Sequence, residues 1–181
     1  MKNKSAFLRG QRGSFAIELA FVLVGLCAIF LFSTDLSHKL LIRAKLDRSS
    51  FALSNIIKER TRYFEADITA QENLEVTESD LVDFAKVAGR MLNTNESNVA
   101  IQIESMTNVS RIVQLKSQRF DALGCQVADF GDFSALAPHD GAVIYPLYRV
   151  SLCEAHDSWF EAFWGESSTM TIVSSSIMPG R

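Results

Sequence analysis

Between Leu26 and Ala88 the chain has neither glycine nor proline. So long an interval without the usual helix breakers excludes a series of short, turn-linked elements there. Acids are missing from residues 1–13, which hold Lys2, Lys4, Arg9 and Arg12. A basic patch is missing from the rest: residues 14–181 carry 14 Lys/Arg against 21 Asp/Glu, a formal charge of −7. Such an acidic body gives nucleic acid little electrostatic reason to bind. There is no internal repeat and no low-complexity tract. No glycine-rich nucleotide loop, placed lysine strand or catalytic-loop motif occurs, and no nucleophile motif frames the serines and histidines. Nothing in the sequence supports catalysis or calls for a cofactor.

What is present begins with Arg12-Gly13-Ser14-Phe15-Ala16-Ile17-Glu18-Leu19. Between Arg12 and Asp35 lie 22 residues, among which Glu18 is the sole ionisable carboxylate or base. At ~1.5 Å per residue a helix of that length covers about 33 Å, enough to cross a bilayer's hydrocarbon core. The preceding cations predict that residues 1–13 stay in the cytoplasm while the chain crosses outward. A secretory signal would be cut after its apolar region, but Phe32-Ser33-Thr34-Asp35 offers no small-x-small site. Cutting after Gly13 instead leaves Ser14 as a new N-terminus, with Glu18 one helical turn further on. Basic leader, glycine and then an apolar run with glutamate fifth after the cut resemble the type IV prepilin signal. Glycine lets a peptidase approach the backbone closely. Glu18, expensive in lipid, could compensate the freed amine of a neighbouring subunit. The rival reading is an uncut signal anchor.

Beyond Asp35 the pattern turns amphipathic. Leu36, Leu40, Ala44 and Phe51 can form one stripe, with Leu46, Leu53 and Ile57 alongside. Arg43, Lys45, Asp47, Arg48, Lys58, Glu59 and Arg60 read as a mostly solvated face. A helix from about Ser14 to Phe64 would run ~75 Å, more than an anchor requires. Its segments Glu18-Leu19-Ala20-Phe21-Val22, Leu46-Asp47-Arg48-Ser49-Ser50-Phe51-Ala52-Leu53 and Ile57-Lys58-Glu59-Arg60-Thr61-Arg62-Tyr63-Phe64 resemble the TadF pseudopilins of the tight-adherence (Tad) pilus. The likeness is strongest over residues 12–64. It implies cleavage by a prepilin peptidase and work as a minor subunit in pilus assembly. The implied partners are that peptidase, other Tad pilins and pseudopilins, the inner-membrane assembly platform and the lipid around the helix. The implied place is the bacterial inner membrane, single-pass, with the C-terminal domain periplasmic or carried into an extracellular pilus. Small major pilins of this system have tyrosine after the glutamate; here Leu19 and the larger body mark an accessory subunit. The organisation expected is a leader (1–13), a transmembrane segment (14–34), an amphipathic continuation (35–64) and an exported globular domain (65–181). The alternative is a signal-anchored periplasmic binding or scaffold protein never cut at Gly13.

In that domain, residues 65–76 read as a polar connection. Thr77-x-x-Asp80 approximates a capping box before Leu81, Phe84, Ala85, Ala88 and Leu92 at helical spacing. Val99, Ile101 and Ile103 alternate with Ala100, Gln102 and Glu104, a half-buried strand. Val113 and Leu115 mark a second strand, with a hairpin across Met106–Asn108. Residues 120–141 read as a long surface loop. A strand at 143–153 is confined by Pro146 to an edge, a bulge or a broken start. Residues 154–166 form a connection, and 170–178 make a closing strand. The expected fold is α+β, pilin-like: a long N-terminal helix on a small antiparallel sheet.

Three constellations remain. Cys125 and Cys153 lie 28 positions apart in a compartment that favours disulfides, whereas Cys27 reads as apolar filler in the membrane segment. A metal site using Cys153-x-x-His156 and His139 matches no zinc pattern. Asp129-Phe130-Gly131-Asp132 has no EF-hand spacing and reads as a solvated turn rather than a calcium loop. Trp159, Phe160, Phe163 and Trp164, spaced by three and four, form a core-facing turn or a contact surface for another pilin or assembly protein.

Overall fold

A computed structural model describes residues 11–59, 74–108, 111–141, 143–163, 165 and 169–180; the side chains of residues 11–14, 108, 143 and 163 lie outside that description. Helix α1 spans Gln11–Lys58. The extension expected as far as Phe64 lies outside the described residues. Two compact units divide the chain, Met1–His38 with Asp157–Ser168 and Lys39–His156 with Thr169–Arg181.

The larger unit holds a four-stranded sheet in the order β2-β1-β5-β6. Strand β1 is Ala100–Asn108, β2 Arg111–Lys116, β5 Leu147–Asp157 and β6 Thr169–Pro179. A separate two-stranded ribbon pairs β3, His139–Asp140, with β4, Val143–Ile144. β1 runs antiparallel to β2 and to β5, with Ile103 opposite Leu115 and Val150. Along β5 and β6, Ser151 meets Ser175 and the Gly180 N–H donates to the Pro146 carbonyl, so rising numbers on one strand face falling numbers on the other. That pair is antiparallel too.

Ile42, Leu46, Leu53 and Ile57 of α1 pack with Ile101, Ile103, Tyr148, Val150 and Leu152 in the main core. Helix α2, Glu78–Leu92, adds Leu81, Ala88 and Leu92. It starts where its sequence directs: the Thr77 hydroxyl accepts from Asp80 N–H while the Asp80 carboxylate accepts from Thr77 N–H, a complete capping box. It ends at left-handed Asn93, where Thr94 N–H reaches the Gly89 carbonyl at 2.8 Å. Lys45 Nζ donates to the Leu92 carbonyl at 2.6 Å, a cation at the negative end of α2.

The expected stripe on α1 is corrected. Leu36, Leu40, Ala44 and Phe51 are exposed; the buried line is Ile42, Leu46, Ser49, Ser50, Leu53, Ser54 and Ile57. Serine reads as polar, yet here it lets α1 approach β6 closely. Ser50 Oγ lies 3.2 Å from Ser174 Oγ and 3.0 Å from Ser176 Oγ, and Ser54 donates to the Ser176 carbonyl. Each hydroxyl so placed avoids the cost of burial without a partner.

A second correction concerns β1, expected to be half-buried. Both of its faces are covered, because residues 118–137 lie over the face away from α1. Phe120, in the short helix α3 (Gln118–Ala122), packs there with Ala100 and Cys153, and Phe130 packs with Met106 and Leu147. The expected surface loop is therefore a covering layer with buried anchors and exposed aspartates between them. Asp129 accepts from Gly131 N–H at 2.9 Å, a local turn around buried Phe130. Of the three options at Pro146, the broken start holds: β4 ends at Ile144, and the strand after the proline lies in the sheet interior. The hairpin lies later than expected, since β1 continues to Asn108, opposite Arg111; a register shift falls between Met106 and Asn108. The connection before α2 is not wholly polar either, as Leu74 and Val76 are buried.

Candidate functional site

The features singled out in the sequence fall in three places. Gly13 and Ser14 lie in the first turns of α1, and Glu18 follows on the same helix. Around Glu18 the described surface is apolar and open: Phe15, Ile17, Leu19, Phe21 and Val22 are all exposed, Phe21 at 75%. The helix is long and apolar enough to cross a membrane, and none of its most apolar 18-residue window is buried. Among the described residues nothing covers that surface, and bare apolar area of this extent is unfavourable in water. Cys27 is a free thiol on the same exposed stretch.

At the other end of the apolar run, the smaller unit contains a site absent from the sequence reading. Asp35, the first ionisable carboxylate after Glu18, is only 4% exposed. Its carboxylate accepts from the Ser158 hydroxyl, from Trp159 N–H at 3.0 Å and from Phe160 N–H at 3.0 Å. Those N–H groups open the short helix α4, Trp159–Phe163, whose first turn would otherwise leave its donors unsatisfied. An anion also suits the positive end of a helix. Phe160 sets its ring edge-on to Phe32 at 5.6 Å between centroids, and is half-buried. Trp159 points away and is 62% exposed. Of the four aromatics, Phe160 is half-buried against Phe32, itself 52% exposed, and Trp159 is open. The side chains of Phe163 and Trp164 lie outside the described residues. The one signal for Asp35 in the sequence is its position, where an acid ends an apolar run.

Cys125 and Cys153 are joined by a disulfide, with Cα atoms 6.4 Å apart. Cys153 lies in the interior strand β5 and Cys125 in the covering layer, packed with Phe120, Leu123, Val127 and Val173. The bond ties the layer to the sheet. It also removes the Cys153 sulfur as a thiolate ligand beside His156, and His139 is exposed on β3. A second tie lies three residues along the layer, at Ala128. Arg149 and Glu104, opposite one another on β5 and β1, form an ion pair with both side chains 2% exposed. The guanidinium also donates to the Ala128 carbonyl at 2.8 Å and lies over the rings of Phe130 and Phe133, at 4.8 and 5.7 Å. Sequence alternation had placed Glu104 outward. Its partner Arg149 is 45 positions away, so no local pattern reveals the pair.

A cleft of about 360 Å³ beside the disulfide is lined by residues including Asn98, Arg119, Cys153 and Glu154. Its lining sets no nucleophile beside a base, and the two cysteines are spent on the crosslink.

The family model of tight adherence pilin protein F, TadF, matches residues 6–181. No curated protein and no solved structure matches the chain. A long exposed apolar helix, an α+β body crosslinked between sheet and covering layer, and a family match over essentially the whole length agree with one another. The chain belongs to the TadF family of tight adherence pilins.

Proposed function

We propose that this chain is a minor pilin, or pseudopilin, that is cut after Gly13 by a prepilin peptidase and then assembles with other Tad pilins through its N-terminal helix. Residues 1–13 are the leader and 14–34 the membrane-spanning segment. Residues 35–64 continue the helix, and 65–181 form the domain carried into the periplasm. The family match supports the pilus role. The observation that carries the mechanism is the uncovered apolar half of α1, with Glu18 one turn beyond Ser14. A subunit with that surface is stored in lipid and released into a bundle of like helices. There the new Ser14 amine of one chain pairs with the carboxylate of a neighbour. The structural, non-catalytic role follows from the family, and the assembly platform of the inner membrane is the machinery that would extract it.

The experiment compares wild type, Gly13→Val and Glu18→Leu at matched membrane levels, reading intact mass, piliation and co-purification with pilins. Gly13→Val should retain the leader and lose piliation. Glu18→Leu should be cut and inserted normally yet fail to assemble. Removing one partner of a buried pair costs about 3–5 kcal/mol, enough to displace assembly by orders of magnitude. Glu18→Asp should keep part of the activity, since the charge survives with shorter reach. A fully functional Glu18→Leu protein with an intact leader would establish the signal-anchored scaffold instead.

A further inference from the structure

We infer that the segment Ser158–Phe163, clamped by Asp35, is an interfacial membrane anchor that inserts Trp159 into the headgroup region of a phospholipid bilayer. The inference rests on α1 spanning the membrane. A hydrocarbon core of about 30 Å takes about 20 helical residues, and that length from Phe15 ends at Thr34. Asp35 therefore stands where hydrocarbon gives way to headgroups. The clamp sets the segment at that level, since its backbone donors grip Asp35 itself. Phe160 reaches Phe32, three residues earlier and so about 4.5 Å deeper along the helix.

Ile29, Phe30, Phe32 and Leu36 are exposed on the stretch of α1 that leads to Asp35, and Trp159, held there through its N–H, adds an exposed indole. Trp is the residue that favours this depth, because its ring is amphipathic, with an apolar body and one N–H donor. Flanking acids limit the depth: Asp157 is exposed and Glu161 half-exposed, and carboxylates are expensive in hydrocarbon. The clamp also answers a cost of its own. A carboxylate at the edge of the hydrocarbon needs donors, and Ser158, Trp159 and Phe160 supply three. Asp35 orders the aromatic turn, and the turn makes Asp35 tolerable at that level.

The test uses full-length protein with Trp164→Phe, which leaves Trp159 as the sole tryptophan, reconstituted in phosphatidylcholine vesicles. Trp159 fluorescence should be quenched more by phosphatidylcholine brominated near the headgroup end of its chains than by lipid brominated near the bilayer centre, and little by aqueous iodide. Asp35→Ala should lose the lipid quenching and gain iodide quenching, while Asp35→Asn, which keeps one oxygen acceptor, should fall between. A separate reporter, Phe21→Trp with Trp159→Phe and Trp164→Phe, should be quenched best by deep bromines in every case. Iodide-quenched Trp159 alongside a lipid-quenched Phe21→Trp reporter overturns the inference and leaves Trp159 as a protein-docking surface. A Phe21→Trp reporter that lipid bromines do not reach overturns the membrane-spanning reading beneath it.

Discussion

Replacing Arg149 by methionine should destabilise the sheet unit far more than its position on a strand suggests. The change leaves Glu104 buried without its cation, since both side chains are 2% exposed. Breaking a buried pair from one side costs about 3–5 kcal/mol, a large share of a total stability of about 5–15 kcal/mol. The same change removes the bond to Ala128 and the contacts with Phe130 and Phe133, which hold the covering layer down. Cation–π contacts of this kind add about 0.5–2 kcal/mol. Glu104→Gln should cost less, about 1.5–3 kcal/mol, because its amide oxygen can still accept from Arg149 and the guanidinium keeps its rings. The double change Glu104→Leu with Arg149→Met removes both charges, so it should be more stable than Arg149→Met alone. Urea unfolding of the full chain in mild detergent, disulfide intact and followed by circular dichroism, reads all three. An Arg149→Met cost under about 1 kcal/mol, the range of exposed pairs, would refute the reasoning. So would a double variant no more stable than Arg149→Met alone.

Other outcomes are equally definite. Non-reducing peptide mapping should link Cys125 to Cys153 and leave Cys27 free, and replacing both linked cysteines by alanine should cost about 2–4 kcal/mol. Gly89→Ala should destabilise despite alanine's helix advantage of about 1 kcal/mol, because the added Cβ would meet the Thr94 carbonyl oxygen at 2.9 Å and Glu96 N at 3.3 Å. A raised unfolding midpoint for Gly89→Ala would show that the turn yields. Gln102 is buried with neither amide atom bonded among the described residues, so Gln102→Leu should raise stability by about 1 kcal/mol or more. A loss on that substitution would mean that water or another group satisfies the amide.

Local patterns were the legible part of this fold. The unbroken run from Leu26 announced α1, Thr77 and Asp80 announced α2 and its cap, and the alternations near Ile101 and Val113 with the strand character of 143–153 and 170–178 announced four strands. What stayed hidden depended on distant partners. Ser50 and Ser54 look solvated until β6 supplies hydroxyls and a carbonyl; without them Leu36, Leu40, Ala44 and Phe51 seemed the buried stripe beside Leu46, Leu53 and Ile57. Glu104 looks outward until Arg149 and the covering layer enclose it. Asp35 looks like the end of an apolar run until residues more than 120 positions later donate to it. Pro146 allowed three placements, and only the place of β5 between β1 and β6 separates them. Alternation reports how many faces a strand could expose, not how many the rest of the chain will cover.

The serine contacts between α1 and β6 also dictate an order of events. Residues 47–54 bond to residues 174–176 across separations of 122 to 127 positions, among the longest in the molecule. Contacts so distant close late, since the entropy of bringing their ends together precedes any gain. During synthesis the seryl face of α1 is made early and stays without its strand until Thr169–Pro179 emerges. In the proposed topology that strand crosses the membrane after the other three strands of its sheet. Closure of β6 onto α1 therefore reports that translocation of the sheet unit is complete. A subunit stalled halfway keeps an open sheet edge along β5, a template for pairing with other chains and a mark by which quality control can tell it from a finished one.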